Sequence, residues 1–134
     1  QEKSLSNVCF KGFVSREAYL NLLDICSIGL VCLSPQNKTP VVPGKILRYM
    51  ASGLPVVAFL QNASDGHGIV KSAKCGFSAD SANKDACVQS MRTLLSQRGS
   101  FAKLGQNGKR YATEYFSKEV CVSQLESMLE KSAI

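Results

Sequence analysis

Two short stretches of this chain carry residues suited to holding an anion. In Val42-Pro43-Gly44-Lys45 a proline, a glycine and a lysine fall where the pattern marks the start of a helix. The first amides of a helix lack intrahelical partners and lie at the positive end of its dipole. The backbone N–H groups of Gly44, Lys45 and Ile46 are therefore candidates for holding an anion. Lys45 either adds a positive charge there or is a solvated lysine. Arg48 either grips phosphate or is a plain surface residue. The second stretch, Asp65-Gly66-His67-Gly68, lies in a polar loop whose glycines would let a ligand approach the backbone. Its plainer reading is a flexible turn, with His67 at the surface. Ser34, Asp65 and His67 can be assembled into a nucleophile and base on paper, but their types are common in loops. The sequence shows no nucleophile, base or metal cluster that would define a stand-alone enzyme.

Both stretches depend on the elements that place them, and the most informative is Pro43–Phe59, PGKILRYMASGLPVVAF. Pro43 suits a first helical turn, where its missing N–H costs nothing. Ile46, Leu47, Met50 and Ala51 recur at helical spacing. Gly53 can take the left-handed conformation that ends a helix, and Pro55 forbids continuation. Pro55–Phe59 is then a continuous apolar run, as in a parallel strand covered on both faces. Upstream, Val8–Val14 reads as a strand. Ser15 caps a helix whose stripe is Tyr19, Leu22, Leu23 and Cys26. Ile28–Leu33 reads as a buried strand, and Ser34–Val42 as a loop. Downstream, Gln61–Gly68 is a loop, Ile69–Ala73 a short helix and Gly76–Ala79 a strand. Three helices follow at Asp85–Gln97, Phe101–Tyr115 and Ser117–Lys131. Such alternation predicts an α/β fold: a Rossmann-like parallel sheet of about four strands, flanked by helices, with C-terminal helices. A strand end leading to a helix start is where such folds bind ligands.

The 134 residues suffice for one domain, spanning 1–134, with an apolar fraction of 45% and 19% charged residues that are ordinary for a globular protein. No stretch is long enough to span a bilayer and no signal peptide opens the chain, so a cytoplasmic location is expected. The net charge of +6 suits anionic partners. The basic residues are dispersed, which argues against nucleic acid and for a phosphate-bearing small molecule; peripheral contact with an anionic membrane is compatible. The six cysteines form no C-x-x-C pair and have one histidine to help them. Buried free thiols are expected rather than disulfides or a metal site.

In sequence order these motifs become more specific. "V-C-F-K-G-F-V", then "D-I-C-S-I-G-L-V-C-L", then "P-G-K-I-L-R-Y-M-A-S-G-L-P-V-V-A" resemble the C-terminal half of a retaining GT-B glycosyltransferase of family 4, the glycosyl transferases group 1. "C-G-F" at Cys75–Phe77 and "G-Q-N-G-K-R-Y" at Gly105–Tyr111 fall where that family has its last strand and penultimate helix. The resemblance implies a lobe that holds the nucleotide half of a UDP- or GDP-sugar, with no further cofactor. A second lobe, N-terminal to it, would bring the acceptor. It assigns donor binding to Pro43, Gly44, Lys45, Ile46 and Arg48, and places Asp65, Gly66, His67 and Gly68 in a loop that approaches the sugar.

Two departures temper that expectation. The family carries two glutamates eight residues apart, the second hydrogen-bonding the nucleotide ribose; here the positions hold Pro40 and Arg48. A guanidinium only donates and cannot accept the ribose hydroxyls in a carboxylate's place. The family's lobe also begins with two further strands, which makes this chain read as N-terminally truncated. Val8–Val14 and Ile28–Leu33 would then pair directly, or another copy of the chain would fill the gap, through an exposed edge. The expected activity is glycosyl transfer only when another lobe completes the site; the alternative is a non-catalytic interaction or assembly module.

Overall fold

The computed structural model describes residues 5–133. Three parallel strands, β1 (Gly29–Cys32), β2 (Val56–Leu60) and β3 (Gly76–Asp80), form one sheet in that order. Helix α1 (Arg16–Ile25) precedes β1, α2 (Gly44–Ala51) joins β1 to β2, and α3 (Gly66–Ala73) joins β2 to β3. Then come α4 (Lys84–Ser96), a 3₁₀ turn at Arg98–Ser100, α5 (Phe101–Phe116) and α6 (Lys118–Ser132).

The central strand is apolar because both its faces are covered. Val56, Val57, Ala58 and Leu60 are all fully buried. Val56, Ala58 and Leu60 join Val31 under Ile46 and Met50 of α2, Val70 and Ala73 of α3, and Ala112 of α5. Helix α4 covers β2 and β3. Its N-cap, Asn83, accepts from the Ala86 amide at 3.0 Å, and its Leu94 is fully buried. Helix α2 ends as its sequence predicts. Gly53 is left-handed (φ 73°), its N–H donates to Met50 O, and the Leu54 N–H reaches back to Tyr49 O. These paired bonds satisfy the carbonyls of the last turn.

Among the described residues the sheet has three strands, where the sequence predicts about four. Val8–Val14 is not a strand, and Phe10 and Phe13 are 94% and 106% exposed. Apolar composition favours a strand only when a neighbour supplies partner N–H and C=O groups. Among the described residues nothing pairs with the outer edge of the four-residue β1, the place such a neighbour would occupy. Helix α1 is correspondingly bare: Leu23 is the buried member of its predicted stripe.

The cysteines also depart from expectation. All six are free, but Cys75 alone is buried and Cys87 is half-buried; Cys9, Cys26, Cys32 and Cys121 are exposed. Cys9 lies in the unpaired segment and Cys32 on the open edge strand, so apolar sequence neighbours do not bury them. Burial pushes the Cys75 thiol up to about 11. A thiol whose folded pKa exceeds its unfolded one stabilises the fold below the unfolded value, near 9, and loses that contribution as pH rises towards 11. We therefore expect stability to fall between those pH values. Cys75→Ala should flatten that limb of a urea-denaturation series, and in the native chain Cys75 should react last with a thiol reagent.

Candidate functional site

The carboxyl ends of β1 and β2 feed the two loops that frame the site, and α2 and α3 start from those loops. At the first helix start, Pro43 is the N-cap with extended backbone (φ −62°, ψ 125°), and Gly44 and Lys45 open the helix with both residues exposed. Nothing within 4 Å would meet a side chain added at Gly44. The turn is thus open to solvent. Ile46 is different: its side chain is fully buried in the core, and its N–H donates to Pro43 O at 2.9 Å. The expected three-amide cradle reduces to two, Gly44 and Lys45. Arg48 is exposed on the outer face of α2, on the turn below.

The second stretch is not a loop. Asp65 is the N-cap of α3, and Gly66, His67 and Gly68 form its first turn. Gly66 is there for packing: a Cβ would meet Leu60 Cδ1 at 2.7 Å and Ile46 Cδ1 at 3.1 Å. It lets α3 settle against the core, with Val70 and Ala73 buried behind it. Gly68 has open space around it. His67 is half-buried and engaged at both ring nitrogens, Nδ1 with Ser78 Oγ at 2.8 Å and Nε2 with Gln61 O at 3.2 Å. The ring ties the loop before α3 to the middle of β3. Its partners are neither Ser34 nor Asp65, and the Ser34 hydroxyl instead accepts from the Gln36 amide.

Periodicity gives no hint of Ser64, which organises the site. It is 5% exposed, and its hydroxyl donates to Val41 O at 2.6 Å while accepting from the Gly66 amide at 3.2 Å. Beside it, Gln61 Nε2 donates to Thr39 O at 3.1 Å. These bonds clasp the loop before α2 to the start of α3, so both helix N-termini are held on one edge of the sheet. The sequence signal was a serine and a glutamine in a polar loop, which do not reveal partners about twenty residues away. Ser64→Ala would break the bridge to Val41 O and leave the buried Gly66 amide without its acceptor, at a cost of about 1–3 kcal/mol. Chemical denaturation would measure it, and a loss below about 0.5 kcal/mol would mean the clasp does not hold.

Gly44, Lys45, Asp65 and Gly68 all lie exposed on this edge, which forms a shelf. Among the described residues, five concavities of about 210–450 Å³ are lined by residues other than these two helix starts. Among the described residues no group of three His, Cys, Asp or Glu side chains could hold a metal ion. No described helix is long and apolar enough to cross a membrane.

A parallel βαβαβ sheet with a helix N-terminus exposed at its carboxyl edge defines a Rossmann-like α/β domain. The family model of the glycosyl transferases group 1 matches residues 1–111, so the chain belongs to that family. The match ends within α5 and leaves α6 outside it. No curated protein and no solved structure matches the chain.

Proposed function

We propose that this domain is the donor half of a retaining glycosyltransferase: it binds the diphosphate of a UDP- or GDP-sugar and transfers sugar only when another lobe completes the cleft. The observation that carries this reading is the open turn at Pro43, with the Gly44 and Lys45 amides presented at the carboxyl edge of the sheet. Two backbone donors and a helix dipole suit an anionic pyrophosphate, and the Lys45 ammonium adds charge beside them. The shelf-like form of the edge fits a site whose other wall comes from elsewhere. His67 and Ser64 act here by holding the loops in place, not by touching the sugar. Gly68, exposed on the first turn of α3, is the member of the second stretch best placed to face a ligand.

A second reading, an interaction or assembly module with a vestigial sugar site, draws on two observations. Arg48 stands where the family's ribose-binding carboxylate is expected, and it is exposed. The outer edge of β1 is open, with Leu30 at 42% exposure and Phe10 and Phe13 bare in the unpaired segment. A second copy or a separate lobe would cover such an edge. A thermal-shift series with UDP, GDP, ADP and their sugars separates the two readings, because a ligand that binds only the folded state raises the melting temperature. A rise with UDP or GDP supports the donor half. No shift with any of them, together with a dimeric mass by light scattering, favours the assembly module.

A further inference from the structure

On the edge of the sheet away from the donor shelf, where α3 ends and β3 begins, two concavities adjoin. One, of about 450 Å³, is lined by Val70, Lys71, Lys74, Phe77 and Leu104 and is largely apolar. The other, of about 410 Å³, is largely polar and is lined by Lys74, Asn107, Arg110, Tyr111, Glu114 and Tyr115. Lys74 belongs to both.

Lys74 is also, among the described residues, the non-glycine residue with a positive φ (φ 50°, ψ 42°), as the cap that ends α3. Glycine is the usual occupant of such a cap because a Cβ is disfavoured there. A strained residue of this kind points to a use for its side chain. Asn107 Nδ2 donates to Lys74 O at 3.0 Å, which fixes the strained cap against α5. The groove then offers three cations, Lys71, Lys74 and Arg110, against one carboxylate, Glu114, beside an apolar slot floored by Phe77 and Leu104. The rings of Tyr111 and Tyr115, 4.5 Å apart between centroids, wall its polar end.

We propose that this groove binds a small soluble anion with an apolar body, such as a phosphate monoester: the anion lies between Lys74 and Arg110, and the body lies in the Phe77–Leu104 slot. The size of each concavity fits a small molecule, and their concave form suits one better than a flat bilayer. The slot reaches Ser78, whose hydroxyl bonds His67, but neither concavity includes Gly44 or Lys45 of the donor shelf.

The test is calorimetric titration of the whole chain with octyl phosphate, using inorganic phosphate for the head alone and octyl glucoside for the tail alone. Octyl phosphate should bind more tightly than either control. Lys74→Gly relieves the left-handed strain, so its melting temperature should be unchanged or higher, while its affinity for octyl phosphate falls about tenfold or more, the loss of one charged contact. Arg110→Gln should weaken binding similarly with the fold intact, and Lys45→Ala should leave it unchanged. The proposal is overturned if wild type binds octyl phosphate no better than the controls, or if both groove variants bind it as wild type does. It is also overturned if the chain ignores octyl phosphate yet sediments with phosphatidic-acid vesicles, which would make the patch a membrane surface.

Discussion

Replacing Gly105 by alanine should lower the stability of the chain by about 3 kcal/mol or more, and its melting temperature by roughly 10 °C. Helix α5 crosses the end of α2 on a seam of small residues, Gly105, Gly108 and Ala112, all buried. A Cβ at Gly105 would sit on the carbonyl oxygen of Gly53, with the carbonyl carbon at 2.8 Å. The obstacle is backbone, and it belongs to the left-handed turn that ends α2, so no side-chain rotation relieves it. Either α5 lifts away and opens the core around Met50 and Cys75, or the turn deforms. One position further along the seam, a Cβ at Gly108 would meet Cys75 Cβ at 3.0 Å, a milder overlap. Gly68→Ala is the control. It has open space around it in the first turn of α3, and alanine's better helix propensity makes it neutral or stabilising by up to about 1 kcal/mol. Urea unfolding of the three proteins measures the difference. A Gly105→Ala loss below about 0.5 kcal/mol would mean that α5 does not pack where it is described.

The second large effect concerns binding rather than folding. Gly44→Pro should weaken UDP binding about tenfold or more, because it deletes one of the two amides proposed to face the ligand, a charge-assisted contact of roughly 1.5–3 kcal/mol. The backbone is ready for the change. Pro43 is already extended at ψ 125°, as a residue before proline must be, and Gly44 is the first helical residue, where proline is favoured. Stability should therefore be unchanged or rise by up to about 1 kcal/mol. Opposite signs in folding and affinity distinguish a lost contact from a damaged protein. Equal affinity of the variant and the parent, measured by calorimetry, would remove the Gly44 amide from the site.

The sequence was most legible where local chemistry decides the outcome. Pro43, Gly53 and Pro55 bracket α2 and β2 because each constrains its own backbone, and the run Val56–Ala58 can only be buried on both faces. Even there, reading Ile46 from the sequence as an anion donor misses that its amide closes the first turn on Pro43 O. That Val8–Val14 forms no strand was not legible, because a strand is a property of two segments and the apolar pattern of Val8–Val14 says nothing of a partner. The start of α3 was also hidden. Gly66 and Gly68 read as a loop by propensity, yet Gly66 is required for the helix to approach Leu60 and Ile46, a tertiary demand that overrides the local preference. Ser64 and His67 act through partners distant in sequence, so their roles emerge only once the loops are placed side by side.

The turn at Pro43 is the proposed place for a diphosphate. Titrating UDP into the ¹⁵N-labelled chain while following backbone amides by NMR tests it most directly. The account predicts that the Gly44 and Lys45 resonances move progressively and saturate together, while those around Lys74 and Arg110 stay still. Stationary Gly44 and Lys45 resonances, with movement elsewhere or nowhere at saturating UDP, would contradict it.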